Sequence, residues 1–337
     1  MKKDLRMKQP IHAPLLATAI CLLTIGFSHA ESPNAEQVIA TMEGINGITP
    51  GARRNHIRGI CASGRFVGSK ALQSYTRSAL FSGQSLPVLA RFSLAGGNPN
   101  APDTARSPRG LAIELQLPQG QAHHFTFLNL PVFSASNPQT FLDALLANAP
   151  DPQTGKPDAA KVQAFRESHP DAKPAAEFMA KNNPPASYAN SNYFGIHTFQ
   201  FINRDGKTTL VRLRFEPQGG VRRLSDEELK TAPPRFLDED LLSKVRSGPL
   251  QWKLIVTLGE PGDEQANPTV YWPADRKEIE AGVLNLTTAQ PQAGAPCEGI
   301  NFDPLVLSDG VAPTDDPVLL FRSGAYASSY GRRITGR

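Results

Sequence analysis

Cysteine is scarce in this chain, with three among 337 residues, and aromatic residues make up only 7% of it, with two tryptophans. Three cysteines cannot staple a small scaffold, and the lack of any CxxC or CxxCH excludes a thioredoxin-like redox motif and a c-type cytochrome. No GxGxxG follows a strand pattern, and P-loop, HExxH and GxSxG motifs are missing. Dinucleotide, nucleoside-triphosphate, zinc-protease and α/β-hydrolase chemistries therefore have no motif support. With 40% hydrophobic and 20% charged residues, 27 Gly and 30 Pro, the chain is not collagen-like, coiled-coil or low-complexity.

Long apolar runs are also absent, with one exception near the N-terminus. Lys2, Lys3, Arg6 and Lys8 precede the apolar stretch 13–27, which ends before Ser28-His29-Ala30. A basic start, a short apolar centre and a small-x-small site form the layout of a secretory signal peptide, and the run is short for a span of about 20 residues. The expectation is a signal peptide over 1–30, export to the periplasm, and no stable membrane association after cleavage; an uncleaved anchor is the alternative. The whole chain carries a formal +4. Removing Lys2, Lys3, Arg6, Lys8 and Asp4 from 35 basic and 31 acidic residues leaves 31 and 30, a net of +1. No basic patch interleaved with aromatics remains to suit nucleic acid. Cys61 and Cys297 stay in the mature chain, and spacing leaves pairing and two free thiols equally open.

Residues 34–46 space Val38, Ile39, Met42 and Ile45 as one face of a helix capped by Asn34. Strand patterns follow at 85–96, 110–118 and 124–133, separated by Gly/Pro/Asn/Asp clusters. Residues 138–182 read as three Pro-bounded helices. Residues 195–203 and 208–217 read as a hairpin turning at Arg204-Asp205-Gly206, with Leu210, Leu213 and Phe215 or their neighbours facing a core. Charged helical pieces precede strand patterns at 250–260 and 282–289. Strands, then helices, then strands, with no βαβ repeat, favour an α+β fold on an antiparallel sheet or barrel. Neither an internal repeat nor a Gly/Ser linker divides the chain.

Five histidines lie beyond residue 30: His56, His123, His124, His169 and His197. His56 sits among Arg53, Arg54 and Arg58, as a surface residue in a basic loop or as an acid/base beside anion-binding arginines. Arg322 and Tyr326 are four apart and share a face if helical. They read either as a basic frayed tail or as a tyrosine whose phenolate an arginine favours, the form a hard ferric oxygen ligand requires.

The contexts of both clusters resemble the haem catalase family. RRNHIRGICASGRF (53–66) is similar to its distal-histidine segment. PVLARFSLAGGNPNAPDTARSPRGLAIEL (87–115) is similar nearly residue for residue to its Arg-Phe-Ser strand and the segment after it. NLPVFSASNPQTF (129–141), GIHTFQFIN (195–203) and NFDPLVLSDGVAPTDDPVLLFRSGAY (301–326) match further motifs, the last one leading to the proximal tyrosine. The resemblance runs from about residue 44 to 335.

It implies an antiparallel β-barrel core with surrounding helices, a single domain over 31–337 that lacks the C-terminal helical domain, and a haem b. Within the family the chain resembles the short, exported catalase-related peroxidases. His56 matches the distal acid/base, Ser93 the hydroxyl that orients it and Tyr326 the axial iron ligand, with Arg322 keeping that ligand deprotonated. Arg53, Arg91 and Arg333 match arginines that pair with haem propionates, and Phe133 and Phe141 match aromatic residues of the distal side. His197 falls near the haem with no catalytic role. Two positions depart from the pattern: Leu128 stands where the family has a distal asparagine, and Asn55 replaces an apolar residue before the histidine. Recruiting Asn129 instead would turn it to the other strand face.

The implied activity is reduction of organic hydroperoxides, with hydrogen peroxide a further candidate substrate, by an unknown one-electron donor, and catalase turnover is expected to be weak beside peroxidase turnover. A minimal catalase and a non-catalytic haem- or lipid-binding barrel are the alternatives. The expected assembly is a monomer or homo-dimer.

Overall fold

The computed structural model describes Met1 and residues 32–336, so the signal-peptide expectation lies outside the described residues. In chain order the elements are α1 (Ala35–Asn46), β1 (Gly59–Gly68), β2 (Ser85–Leu94), β3 (Arg109–Gln116), β4 (Ala122–Leu128), α2 (Pro138–Ala147), α3 (Ala159–Ser168) and α4 (Lys173–Lys181). There follow β5 (Tyr193–Phe194), β6 (Phe199–Ile202), β7 (Thr208–Pro217), α5 (Asp226–Thr231), α6 (Phe236–Ser247), β8 (Leu250–Leu258), β9 (Glu278–Pro291), β10 (Val311–Pro313) and α7 (Pro317–Ile334).

All strand pairs are antiparallel. The order β7-β5-β4-β3-β2-β1-β9-β8 closes on itself through a β7–β8 pairing, which makes an eight-stranded barrel, and β6 and β10 extend from β7. Closure removes the sheet edges that β1–β4 would otherwise expose. Alternation in β2 sends Leu86, Val88, Ala90 and Phe92 inward, where Phe92 meets Tyr188, Tyr193 and the fully buried Trp252. Side chains of this size each stabilise the fold by about 1.5–3 kcal/mol when fully buried. The same alternation turns Arg91 and Ser93 outward, yet both are buried. A second layer must therefore lie on the outer face of β1–β4.

That layer consists of the segment before β1 together with α1, α2 and α7. Val38, Ile39 and Met42 of α1 pack with Phe141 and Leu142 of α2 and with Phe321 and Ala325 of α7. Arg332 of α7 pairs with Glu36 and Glu43, and Glu43 also takes Arg54 at 2.5 Å. Asn34 caps α1 in a capping box with Gln37. Cys61 on β1 is bonded to Cys297, with the Cα atoms 5.7 Å apart and a sequence separation of 236.

The structure departs from the sequence reading at three points. Residues 59–68, for which the sequence shows no strand pattern, form β1; GICASGRFVG carries little β propensity. Its small residues serve close approach: a β-carbon on Gly64 would lie 2.0 Å from Asn285 O across the ladder. The strand expected over 124–133 ends at Leu128, where Asn129 turns back to bond Arg109 and Pro131 offers no N–H. In β7 the inward set is Val211, Leu213 and Phe215, while Leu210 lies on the other face.

Candidate active site

Two rows of side chains cross the outer face of β1–β4. The ladder aligns Gly59 with Ser93, Ser93 with Gly110, and Gly110 with Leu128. One step along, it aligns Cys61 with Arg91, Arg91 with Ala112, and Ala112 with Thr126. Small residues dominate both rows and leave room for whatever lies above.

His56 stands over the first row, its Nδ1 2.9 Å from Ser93 Oγ. A β-carbon on Gly110 would lie 2.7 Å from Ser93 Oγ and 3.1 Å from the His56 ring, so only glycine fits beneath the imidazole. Burial first, then the charges of Arg91, Arg322 and Arg53, push the His56 pKa down to about 3. The ring is neutral at physiological pH; with its proton on Nδ1 facing Ser93, Nε2 keeps a lone pair and can act as a base. Leu128 shares this row. Asn129 does not: its Oδ1 accepts the Arg109 N–H at 2.7 Å on the other face.

The second row leads to α7. Arg322 donates from Nη2 to Thr126 Oγ1 at 3.0 Å and to Tyr326 Oη at 2.7 Å. Its Nη1 lies 3.0 Å from His197 Nε2, and His197 Nδ1 lies 2.6 Å from Asp316 Oδ2. Burial holds His197 below the usual imidazole range despite that carboxylate. The consistent protonation has Nδ1–H donating to Asp316 and Nε2 accepting from Arg322. Asp316 also caps α7 through Oδ1, which accepts the Val318 and Leu319 N–H groups. One carboxylate thus starts the helix and anchors the chain of contacts ending at the tyrosine oxygen.

Arg53, Arg91 and Arg333 gather around the same hollow. Arg53 donates to the carbonyls of Cys297, Glu298 and Ile300, and Arg333 to those of Glu298 and Gly299. Arg91 donates to Gln292 Oε1 and His56 O. Among the described residues none of the three has a carboxylate at ion-pair distance. Burial, with Arg91 and Arg333 nearby, depresses Arg53; burial, with Arg333, depresses Arg91; burial depresses Arg333. Such a cluster lacks a counter-anion. A β-carbon on Gly59 would meet the Arg91 guanidinium at 2.5 Å, so the floor is shaped around it as well. Phe133 and Phe141 stack at 5.8 Å, where α2 meets α1 and α7.

The family model described as Catalase matches residues 43–337. The chain belongs to the catalase family. It is 53% identical over 321 residues to a catalase-related peroxidase of Synechococcus elongatus, covering 95% of this chain and 94% of that one. A catalase-related peroxidase of Mycolicibacterium paratuberculosis is 29% identical, covering 87% and 93%. A catalase of Listeria seeligeri is 30% identical, but this chain spans only 60% of its length. A fungal catalase crystal structure shares the fold, with a TM-score of 0.78 and 23% identity over 97% of this chain and 67% of that one.

Membership in the catalase family makes the chain an oxidoreductase and implies a haem, and the residues fit one. The propionates of a haem would answer the cluster of Arg53, Arg91 and Arg333, which among the described residues lacks carboxylate partners, and Tyr326 would offer its iron a protein oxygen. Among the described residues no group of three His, Cys, Asp or Glu side chains is placed to hold a bare metal ion.

Reading the sequence brought His56, Ser93, Arg322 and Tyr326 together and left out Asp316, Thr126 and the link through His197. Asp316-Pro317 ahead of an apolar run is an N-cap signature that could have flagged the start of α7.

Proposed function

We propose that the protein is a haem b peroxidase, exported to the periplasm, that reduces organic hydroperoxides with one-electron donors. The observation that carries this reading is Leu128 in the row beneath His56. The distal face then offers one imidazole and one serine hydroxyl as polar groups, and Leu128 continues into Leu130, Val132, Ala175, Phe178 and Met179. An apolar side chain at position 128, backed by this buried cluster, suits the organic part of an alkyl hydroperoxide. The names of the Synechococcus and Mycolicibacterium relatives, both catalase-related peroxidases, support the peroxidase part of this reading.

Bound in the hollow, haem supplies a redox-active iron at which an O–O bond can break. His56 Nε2 takes the hydroperoxide proton and returns it to the departing oxygen, and Ser93 keeps the ring in the orientation that allows both transfers. Arg322, held by His197 and Thr126, stabilises the anionic oxygen of Tyr326. Overall, ROOH and two donors AH give ROH, water and two A•, so electrons and protons balance.

The test compares two rates on the same haem-loaded sample. Oxidation of an organic donor by an alkyl hydroperoxide is expected to exceed oxygen release from hydrogen peroxide, and Leu128→Asn is expected to raise oxygen release. Dominant oxygen release by the unaltered protein would mean a minimal catalase instead.

Gly110→Ala probes the row directly. The added methyl must displace Ser93 Oγ or the His56 ring, and misplacement of about 1 Å costs on the order of 100-fold in rate. Hydroperoxide turnover per haem should fall by about that factor while haem content stays near that of the unaltered protein; unchanged turnover would show that the ring tolerates the methyl.

A further inference from the structure

His56 has φ of +53°, one of three non-glycine residues with positive φ among the described residues. A β-carbon makes the left-handed region cost roughly 1–2 kcal/mol, so something must hold the residue there. Both of its backbone polar groups are held. The N–H donates to Asn55 Oδ1 at 2.8 Å, and the C=O accepts from Arg91 Nη2 at 2.7 Å.

Asn55 Oδ1 also accepts the Gly96 N–H at 2.7 Å, and the Ile57 N–H donates to Gly96 O at 3.2 Å. Gly96 lies two residues beyond the end of β2, the strand that carries both Ser93 and Arg91. Ring and backbone of His56 are therefore referenced to one strand, with Asn55 making the link to its end. An apolar side chain at position 55 could accept neither N–H, so one substitution would release both the His56 N–H and its tie to Gly96.

We propose that Asn55 is a positioning residue: its side-chain oxygen fixes His56 in the left-handed turn that aims Nε2 at the substrate. Ser93 controls rotation of the ring, whereas Asn55 controls where the ring starts from. The inference rests on the reading of His56 as the distal base.

The probe is cyanide, which arrives as HCN and must give its proton to a base as it binds, so its association rate reports the distal base without any peroxide turnover. In the haem-loaded protein at neutral pH, Asn55→Ala should slow cyanide association per haem by about 10- to 100-fold. Asn55→Asp, which keeps an oxygen in the same place, should recover a rate near that of the unaltered protein. His56→Ala sets the floor. Haem content and melting temperature should change little in either Asn55 variant.

A rate in Asn55→Ala equal to that of the unaltered protein overturns the proposal, as does an equal loss in the Ala and Asp variants. Failure of Asn55→Ala to load haem also overturns it, since that would make Asn55 a support of the whole pocket. Unaltered protein that binds cyanide no faster than His56→Ala defeats the reading of His56 and the proposal together. Fast, Asn55-dependent cyanide binding without hydroperoxide turnover defeats the peroxidase reading alone.

Discussion

Tyr326→Phe is expected to purify with less than about a tenth of the haem of the unaltered protein, because iron loses the one oxygen that α7 presents to it. The substitution removes a single atom and keeps the ring, so packing of α7 against α1 and α2 should survive. Arg322 keeps its contacts to Thr126 and His197 and loses only the 2.7 Å acceptor on Tyr326. The polypeptide should therefore fold, with a stability loss of about 1–3 kcal/mol for the stranded donor. Haem per chain, read from absorbance after purification, and the melting temperature separate the two effects. Full haem content with an unchanged phenolate-type absorption band would place the iron ligand elsewhere.

The second large effect belongs to His56→Ala. Haem should be retained, because Tyr326 and the cluster of Arg53, Arg91 and Arg333, which would hold it, are untouched, while reaction with hydroperoxide falls by about 100- to 10,000-fold, the usual worth of a positioned acid/base. Retained turnover would show that another group moves the proton. The pH dependence of stability should change as well. The imidazole is depressed in the folded protein from 6.5 to about 3, so between those values the unfolded chain binds the extra proton. Its effect is absent above pH of about 6.5, and stability is lost as pH falls toward 3. Removing the ring removes that loss, so the variant's melting temperature should drop less between pH 7 and pH 5. A steeper drop would contradict a neutral His56.

Parts of this architecture were legible in the sequence because they follow local rules. The alternation of 85–94 separates core from site, and the four-residue spacing of Arg322 and Tyr326 puts them on one helix face. What escaped depends on neighbours distant in the chain. Strand β1 carries Gly64 and Gly59 because Asn285 and Arg91 crowd these positions, and no local propensity reports that. Asp316 looks like an ordinary helix cap until His197, 119 residues earlier, is brought against its second oxygen. Asn55 stood out as a departure from the family pattern, yet its purpose required seeing that Gly96 and His56 share its oxygen.

His56 precedes the first strand and Tyr326 follows the last, yet α7 and the segment before β1 lie on one sheet face. Tyr326 comes 270 positions after His56 (326 − 56), and that stretch must be synthesised before the two sides of the hollow can meet. An emerging chain can close barrel pairs early, but the cofactor finds both its ligand and its distal base only after α7 has docked. A haem held by Tyr326 and faced by His56 would therefore need both ends of the chain in place, and contacts this distant in sequence form slowly.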